Sequence, residues 1–352
     1  MYILLAILAF GVLIVTHELG HFVAARACGV KVNEFAVGMG PAILKKQGKE
    51  TLYSLRILPL GGYCAMEGED AETGDPRAFT AKPAWQRIII LCAGAAMNFL
   101  TGFVLILCIA GNASFTEPVI YGFMDGCPYE GEALLQTGDR IYSIDGHRTW
   151  FTTDVSDYLG RGGDVHDIVL IRDGHRVKLT DVSMPLVEYP AGEEGQTVWR
   201  YGLYFAPREF GLWANLRYSW YEALSFVRLV WRSLGDLLSG AVGVREMSGA
   251  VGIVSYVNDV ATTAETAEEA SFDFLYIFAL IAVNLAVMNM LPIPALDGGR
   301  VLFTLLTAIA TLILHRKPDP KYEGWLHTAG FVLLMGLMVF VMVNDVLKLV
   351  GK

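Results

Sequence analysis

Four apolar runs, each long enough to cross the hydrocarbon core of a bilayer, constrain the fold of this chain more than any other feature. They cover residues 2–27, 87–110, 272–291 and 327–349, and a spanning helix needs about 20 such residues. A segment inside lipid must satisfy its own backbone hydrogen bonds, so runs of this length form helices. The sequence therefore predicts a polytopic α-helical membrane protein with four transmembrane helices.

Two apolar segments need a separate interpretation. The run at 301–314 is shorter than a span, and we expect it to be buried or re-entrant. The first run has no basic start and no small-residue cleavage site ahead of its histidines. We therefore expect a retained helix there and not a signal peptide.

The distribution of Lys and Arg predicts the orientation of the spans. Basic residues are concentrated between the first and second runs and again between the third and fourth. Because basic loops stay on the cytoplasmic side, both loops are predicted to be cytoplasmic and the acidic stretch 112–271 to lie outside. The chain has no basic stripe and a sequence pI of about 5.3, so no nucleic-acid partner is expected.

The first run contains HELGH at residues 17–21. His17 and His21 are four residues apart, so both imidazoles project from one face of a helix and can reach a single metal ion. Glu18 is placed to act as a general base beside them. A pair of histidines on a helix surface is the structural alternative. An ionisable group in a bilayer costs about 2–3 kcal/mol, and zinc binding would offset that cost.

A catalytic zinc ion usually takes three protein ligands, so a further ligand is expected at membrane depth. The third run ends in PIPALDGGR at 292–300, where the prolines cannot continue a helix. Asp297 is the one carboxylate residue in this segment, where the helix is expected to be interrupted. Alone, Asp-Gly is a common turn pair, but beside HELGH we favour Asp297 as the third ligand.

Two asparagines, Asn284 and Asn289, lie in the third run. Polar side chains in spans often join helices by hydrogen bonds, and for Asn284 this interpretation and a functional one are equally good. Asn289 is nearer the break. It is placed to donate a hydrogen bond to a substrate carbonyl or backbone.

The stretch 117–186 alternates short apolar runs with Gly and Asp turns, which predicts a small β-rich module. Its TGDRIYSIDG segment resembles a PDZ domain, with an unspecified β domain as the alternative. The following stretch, 211–245, carries apolar and aromatic residues at helical spacing with Arg interleaved. This pattern predicts an amphipathic helix on the outer membrane face, since its charges disfavour a fifth span.

Six motifs together resemble the site-2 protease family of intramembrane zinc metalloproteases. In chain order they are HELGHFVAAR at 17–26, VNEFAVGMGP at 32–41, LPLGGYCAMEGE at 58–69, AGAAMNF at 93–99, MSGAVGI at 247–253 and NMLPIPALDGGR at 289–300. Within this family the chain looks most like the bacterial regulator-of-sigma-E type, in a form with a single PDZ domain. The resemblance implies that His17, His21 and Asp297 bind Zn²⁺, that Glu18 is the catalytic acid/base and that Asn289 holds substrate.

The resemblance also implies a re-entrant β-hairpin formed by LPLGGYCAM, next to the active site. Its edge strand would bind an unwound substrate through Gly61, Gly62 and Tyr63, and strand addition is a known mode of peptide recognition. The alternation in TLYSLRILPL at 51–60 independently fits a strand.

The chain departs from close relatives at two points. They often have Ala-Gly-Pro where this chain has Ala93-Gly94-Ala95, and we expect only a local change of helix bending. Many carry two PDZ domains, and this chain has room for one. The domains predicted are an N-terminal membrane domain at 1–111, a PDZ domain at 112–190, an extracytoplasmic helical linker at 191–271 and a C-terminal membrane domain at 272–352.

The resulting hypothesis is an intramembrane zinc endopeptidase of the bacterial inner membrane. Its expected substrates are single-span membrane proteins, such as an anti-sigma factor or a remnant signal peptide, cut in or near the spanning segment. Two alternatives remain. A metal transporter would also carry intramembrane His and Asp, but HELGH and the PDZ-like module argue against it. A catalytically dead scaffold is disfavoured by the intact set of ligands.

Overall fold

The computed structural model describes residues 2–69, 73–111, 116–161, 163–190, 197–207, 211–240, 243, 252, 266–314 and 320–350. These residues form two compact units. One combines Met1–Ala110 with Leu216–Lys352, and the other consists of Gly111–Asn215. The motif at 247–253 lies outside the described residues except for Gly252.

Among the described residues, four helices of the first unit are long and apolar enough to cross a membrane, which confirms the four predicted spans. They are α1 (Tyr2–Ala27), α2 (Ala84–Ile109), α5 (Ala267–Asn289) and α7 (Pro320–Val350). Helix α2 begins directly after Pro83, whose fixed φ suits the start of a helix. Thr266 caps α5 by accepting a hydrogen bond from the backbone N–H of Glu269.

The fifth apolar run forms α6 (Asp297–Leu314). The expectation that this run is buried in the protein is wrong, because Leu306, Ile309 and Leu312 are 50 %, 52 % and 78 % exposed. It is also not among the helices suited to span a bilayer in the described part of the chain. The apolar residues recur at helical spacing, so one face of α6 is available to lipid.

Helices α1, α2 and α5 pack closely because small residues face their neighbours. A methyl group on Gly20 of α1 would lie 2.3 Å from the carbonyl oxygen of Ala93 on α2. A methyl group on Gly102 would lie 2.7 Å from a methyl carbon of Val283 on α5. Small residues allow such approach between membrane helices. The active-site candidates on α1 are thereby brought against both neighbours.

Two long antiparallel strands, β1 (Val32–Gln47) and β2 (Leu52–Met66), follow α1. The predicted strand at 51–60 is therefore present. Their register is irregular: Phe35 pairs with both Cys64 and Tyr53. A hairpin formed by the segment 58–66 alone was expected. Instead, this segment lies wholly within β2 and pairs with β1.

The second unit is β-rich, as its sequence predicted. Its main sheet contains β3 (Thr116–Phe123), β4 (Arg140–Ile144), β5 (His147–Arg148), β6 (Val165–Arg172), β7 (His175–Ser183) and β10 (Leu203–Pro207), in the order β10-β3-β4-β6-β7 with β5 beside β4. A second sheet pairs β8 (Val187–Pro190) with β9 (Thr197–Arg200). Helix α3 (Thr152–Leu159) contributes Val155 and Leu159 to the core.

The predicted domain boundary at residue 190 cuts through this unit. Strand β10 lies beyond that boundary, yet it pairs with β3, where Leu203 faces Phe123. Leu203 and Phe205 also pack against the core of the unit. The unit therefore ends at Asn215, and the stretch 191–271 is not a linker throughout.

The predicted amphipathic helix is α4 (Leu212–Leu238). It is expected on the outer membrane face, but its side chains contact two spanning helices. Trp220 packs edge-on against Phe99 of α2, with ring centroids 5.8 Å apart. The hydroxyl of Tyr276 on α5 donates a 2.7 Å hydrogen bond to the buried carboxylate of Glu222. This bond supplies a partner for a charge that would otherwise be costly to bury.

Candidate metal centre

His17 and His21 lie one turn apart near the C-terminal end of α1. Their rings meet edge to face with centroids 4.8 Å apart, and their Nε2 atoms are separated by 3.2 Å. The i, i+4 spacing on a helix produces this convergence. The structure therefore brings the two histidines of the HELGH motif together at one point.

Asp297 joins them from the start of α6, after the non-helical segment 290–296 that follows α5. Its Oδ2 atom lies 3.2 Å from Nε2 of His17 and 3.4 Å from Nε2 of His21. The two following glycines allow the tight turn. A methyl group on Gly298 would lie 2.3 Å from the carbonyl oxygen of Met290, so no larger residue fits there.

The three candidate ligand atoms have the spacing that tetrahedral zinc requires. Zinc holds ligand atoms about 3.3–3.4 Å apart when its bonds are about 2.0–2.1 Å long, and the observed separations are 3.2–3.4 Å. Among the described residues, the buried Oδ2 of Asp297 has no well-formed hydrogen-bond partner, although the Nε2 atoms of His17 and His21 lie 3.2 Å and 3.4 Å away. A buried carboxylate oxygen without a partner is costly, and a cation would supply that partner. The donor set thus fits a zinc ion.

The remaining ring nitrogens face groups on other helices. Nδ1 of His21 lies 2.8 Å from the carbonyl oxygen of Ile90 on α2. Nδ1 of His17 lies 3.3 Å from Nδ2 of Asn98 and 3.5 Å from Nδ2 of Asn289. Asn289 is thus at the centre, as expected from the sequence, whereas Asn284 lies half-buried on the same helix.

Sequence reasoning missed two residues of α2 at this centre, Gly94 and Asn98. Asn98 is 1 % exposed and contacts His17. A methyl group on Gly94 would lie 2.3 Å from Nε2 of His21. Their i, i+4 spacing places both on one helix face, and that spacing within the AGAAMNF motif was the available signal.

Glu18 borders a cavity of about 330 Å³ together with the candidate ligands. The cavity is lined by His17, Glu18, His21, Tyr63, Cys64, Ala65, Met66, Glu69, Leu91, Asp297 and Arg300. Arg300 forms an ion pair with Glu69 at its wall. The cavity therefore combines the metal centre, an acidic group and the end of β2.

Strand β2 passes close to Glu18 because Gly62 has no side chain. A methyl group there would lie 3.4 Å from Cγ of Glu18 and 2.9 Å from the carbonyl oxygen of Ala36. Gly61 has φ +92°, a conformation that favours glycine. These glycines lead into Tyr63, which lines the cavity.

Arg56 holds Tyr63 and β1 together. Its guanidinium donates hydrogen bonds to the Tyr63 hydroxyl and, at 2.8 Å, to the carboxylate of Glu34. Burial alone would raise the pKa of Glu34, but hydrogen bonds from Ser54 and Arg56 outweigh it and lower the pKa to about 2. The end of β2 is therefore held by an ionised network.

Comparison with known proteins identifies the family of the chain. The sequence profile of peptidase family M50 matches residues 5–337. The chain is 34 % identical to a Clostridium perfringens protein over 99 % of both chains. It is 30 % identical to the zinc metalloprotease RasP of Bacillus licheniformis over 97 % of this chain and 98 % of the relative. Identity to the Bacillus subtilis regulator of sigma-W protease RasP is 27 %, over 97 % of both chains.

The match of the family over most of the chain, together with the M50 relatives, confirms the resemblance, the zinc cofactor and the enzyme class predicted from the motifs. The chain is a zinc-dependent metalloprotease of peptidase family M50, the site-2 protease family.

Proposed function

We propose that this protein is an intramembrane zinc endopeptidase that cleaves within or near the transmembrane segment of single-span membrane proteins. The observation that carries the proposal is the convergence of three ligand atoms, 3.2–3.4 Å apart, at a helix suited to span a bilayer. An ionisable cluster at such a position is costly unless it serves a function.

In this proposal Nε2 of His17, Nε2 of His21 and Oδ2 of Asp297 hold the zinc ion. When bound, zinc supplies a Lewis acid that polarises a peptide carbonyl and makes water more acidic. Glu18 accepts the proton of the attacking water and returns it to the leaving amine. Burial of the cluster excludes competing water from these transfers.

Substrate binding is assigned to two elements. The backbone of Gly61, Gly62 and Tyr63, at the end of β2, adds an unwound substrate as a further strand. The side chain amide of Asn289 holds the substrate near the scissile bond. The approach of Gly62 to Glu18 supports this arrangement, because a substrate strand on that edge would pass the catalytic acid. The hairpin of β1 and β2 is taken to be re-entrant.

The substrate class is an anti-sigma factor or a remnant signal peptide. The name of the Bacillus subtilis relative, a regulator of sigma-W protease, supports the first of these. The protein is placed in the bacterial inner membrane with the lipid bilayer as its surroundings. The second unit, predicted from the sequence as a PDZ domain at 112–190, is assigned to a single PDZ domain outside the cell membrane.

The experiment is cleavage of a single-span reporter by purified enzyme in liposomes. Glu18→Gln is isosteric but cannot accept a proton, so cleavage is expected to fall by about 10²-fold or more while zinc content stays at wild type. Glu130→Gln, an exposed position in the second unit, is the matched control and retains full activity. Cleavage at the wild-type rate by Glu18→Gln would refute the proposed mechanism.

A further inference from the structure

Asn98 presents an unusual hydrogen-bond arrangement beside the metal centre. Its side chain is 1 % exposed, and its Nδ2 faces Nδ1 of His17 at 3.3 Å. Its Oδ1 is buried and has no hydrogen-bond partner in the described part of the chain. Buried side-chain oxygens nearly always have a partner, so this orphan atom requires an explanation.

The orientation of two asparagine amides corresponds to one tautomer of His17. Two amide nitrogens, from Asn98 and Asn289, face Nδ1 of His17. An amide nitrogen only donates, so in this arrangement Nδ1 of His17 acts as the acceptor, which corresponds to the tautomer with the proton on Nε2. Binding a metal through Nε2 needs the opposite tautomer, in which Nδ1 carries the proton and seeks an acceptor.

We propose that Asn98 is the positioning residue that selects the metal-binding tautomer of His17. A half-turn of its amide exchanges Nδ2 for Oδ1, two groups of nearly equal size. Oδ1 then accepts the Nδ1–H of His17, which leaves Nε2 free to bind zinc. The inference rests on the proposed role of His17 as a ligand.

The partner of His21 supports this assignment. The carbonyl oxygen of Ile90, also on α2, lies 2.8 Å from Nδ1 of His21 and can only accept. Helix α2 would then supply one acceptor to each ligand histidine, a backbone carbonyl and a side-chain amide. Such partners orient metal-binding histidines in general. Asn98 is closer to His17 than Asn289 is, so Asn289 remains available to substrate.

The test compares Asn98→Leu and Asn98→Asp in the full-length purified protein. Leucine removes the acceptor and keeps the bulk, whereas aspartate keeps an acceptor in the same position. Thr101→Val is the matched control on α2, because the Thr101 hydroxyl donates a hydrogen bond to the carbonyl oxygen of Met97 within the same helix. The readout is zinc affinity by competition with a chelator, alongside the thermal midpoint of the zinc-loaded protein.

We expect zinc affinity to fall about 10–100-fold in Asn98→Leu and to stay within threefold of wild type in Asn98→Asp and Thr101→Val. A purely structural Asn98 would give the opposite order, because a buried carboxylate without the imidazole N–H is more disruptive than leucine. Equal loss of zinc in Asn98→Leu and Asn98→Asp, or wild-type affinity in Asn98→Leu, would overturn the proposal.

The tautomer of His17 can also be measured in the wild-type protein. Nitrogen-15 NMR of histidine-labelled protein should show the proton of His17 moving from Nε2 to Nδ1 when zinc is added. An unchanged Nε2-protonated tautomer overturns the proposal. His17→Ala distinguishes failure of the proposed ligand role of His17 from failure of the proposed role of Asn98. If His17→Ala binds zinc like wild type, His17 is not a ligand. If it loses zinc while Asn98→Leu does not, only the role of Asn98 fails.

Discussion

Gly94→Ala tests whether α2 shapes the metal centre. A methyl group at this position would lie 2.3 Å from Nε2 of His21 and 2.7 Å from Cε1 of His17. Ordinary contacts between such atoms are about 3.5 Å, so the rings must move by about 1 Å. Metal–ligand distances tolerate only about 0.2 Å. The substitution therefore displaces ligands from the positions that zinc requires.

Helix propensity predicts the opposite result. Alanine is more favourable than glycine inside a helix by about 1 kcal/mol, so without the clash Gly94→Ala would stabilise α2. We expect instead a loss of zinc affinity above about 100-fold, larger than the effect of altering a residue that only hydrogen-bonds to a ligand. Zinc affinity is measured by chelator competition, together with reporter cleavage.

Gly336→Ala in α7 is the matched control, because a methyl group on Gly336 meets no atom within 4 Å. It should leave zinc affinity and cleavage unchanged. Wild-type zinc affinity in Gly94→Ala would show that the imidazole rings can accommodate the added methyl group, and the predicted steric clash would be wrong.

Two further predictions concern the substrate strand and the second unit. Gly62→Val should reduce cleavage and leave zinc content unchanged, because its side chain would press on the carbonyl of Ala36 and on Glu18; a variant that cleaves normally would contradict the strand's role. In the second unit, burial would raise the pKa of Asp145, but the hydrogen bond with His166 and another from the Asp167 backbone lower it. A lowered pKa gives stability that is present above the ordinary value of 3.8 and is lost as pH falls through the folded value. Hydrogen exchange of the β4 and β6 amides should therefore accelerate as pH falls below 3.8. If Asp145→Asn showed the same pH dependence of exchange as wild type, the Asp145 carboxylate would not be the source of that stability.

Local patterns in the sequence predicted the spans and much of the candidate site. The convergence of His17 and His21 depends only on helical spacing, and Asp297 is marked by the prolines and glycines around it. These features depend on local chemistry, which sequence reasoning handles well.

Contacts that depend on packing were not predictable in the same way. Asn98 reaches His17 because α1 and α2 approach closely at Gly20, and no local pattern specifies that approach. Strand β10 was assigned to a linker because its partner, β3, is distant in sequence. The contacts of α4 with Phe99 and Tyr276 depend on the tertiary fold for the same reason.

X-ray absorption at the zinc edge of the purified protein measures the ligands of the zinc ion. Cys64 and Met66 also line the cavity, so a sulfur ligand is the alternative that the spectrum must distinguish. We predict nitrogen and oxygen ligands at about 2.0–2.2 Å, with imidazole scattering from two histidines. A sulfur ligand at about 2.3 Å, or an unchanged spectrum in Asp297→Asn, would contradict this prediction.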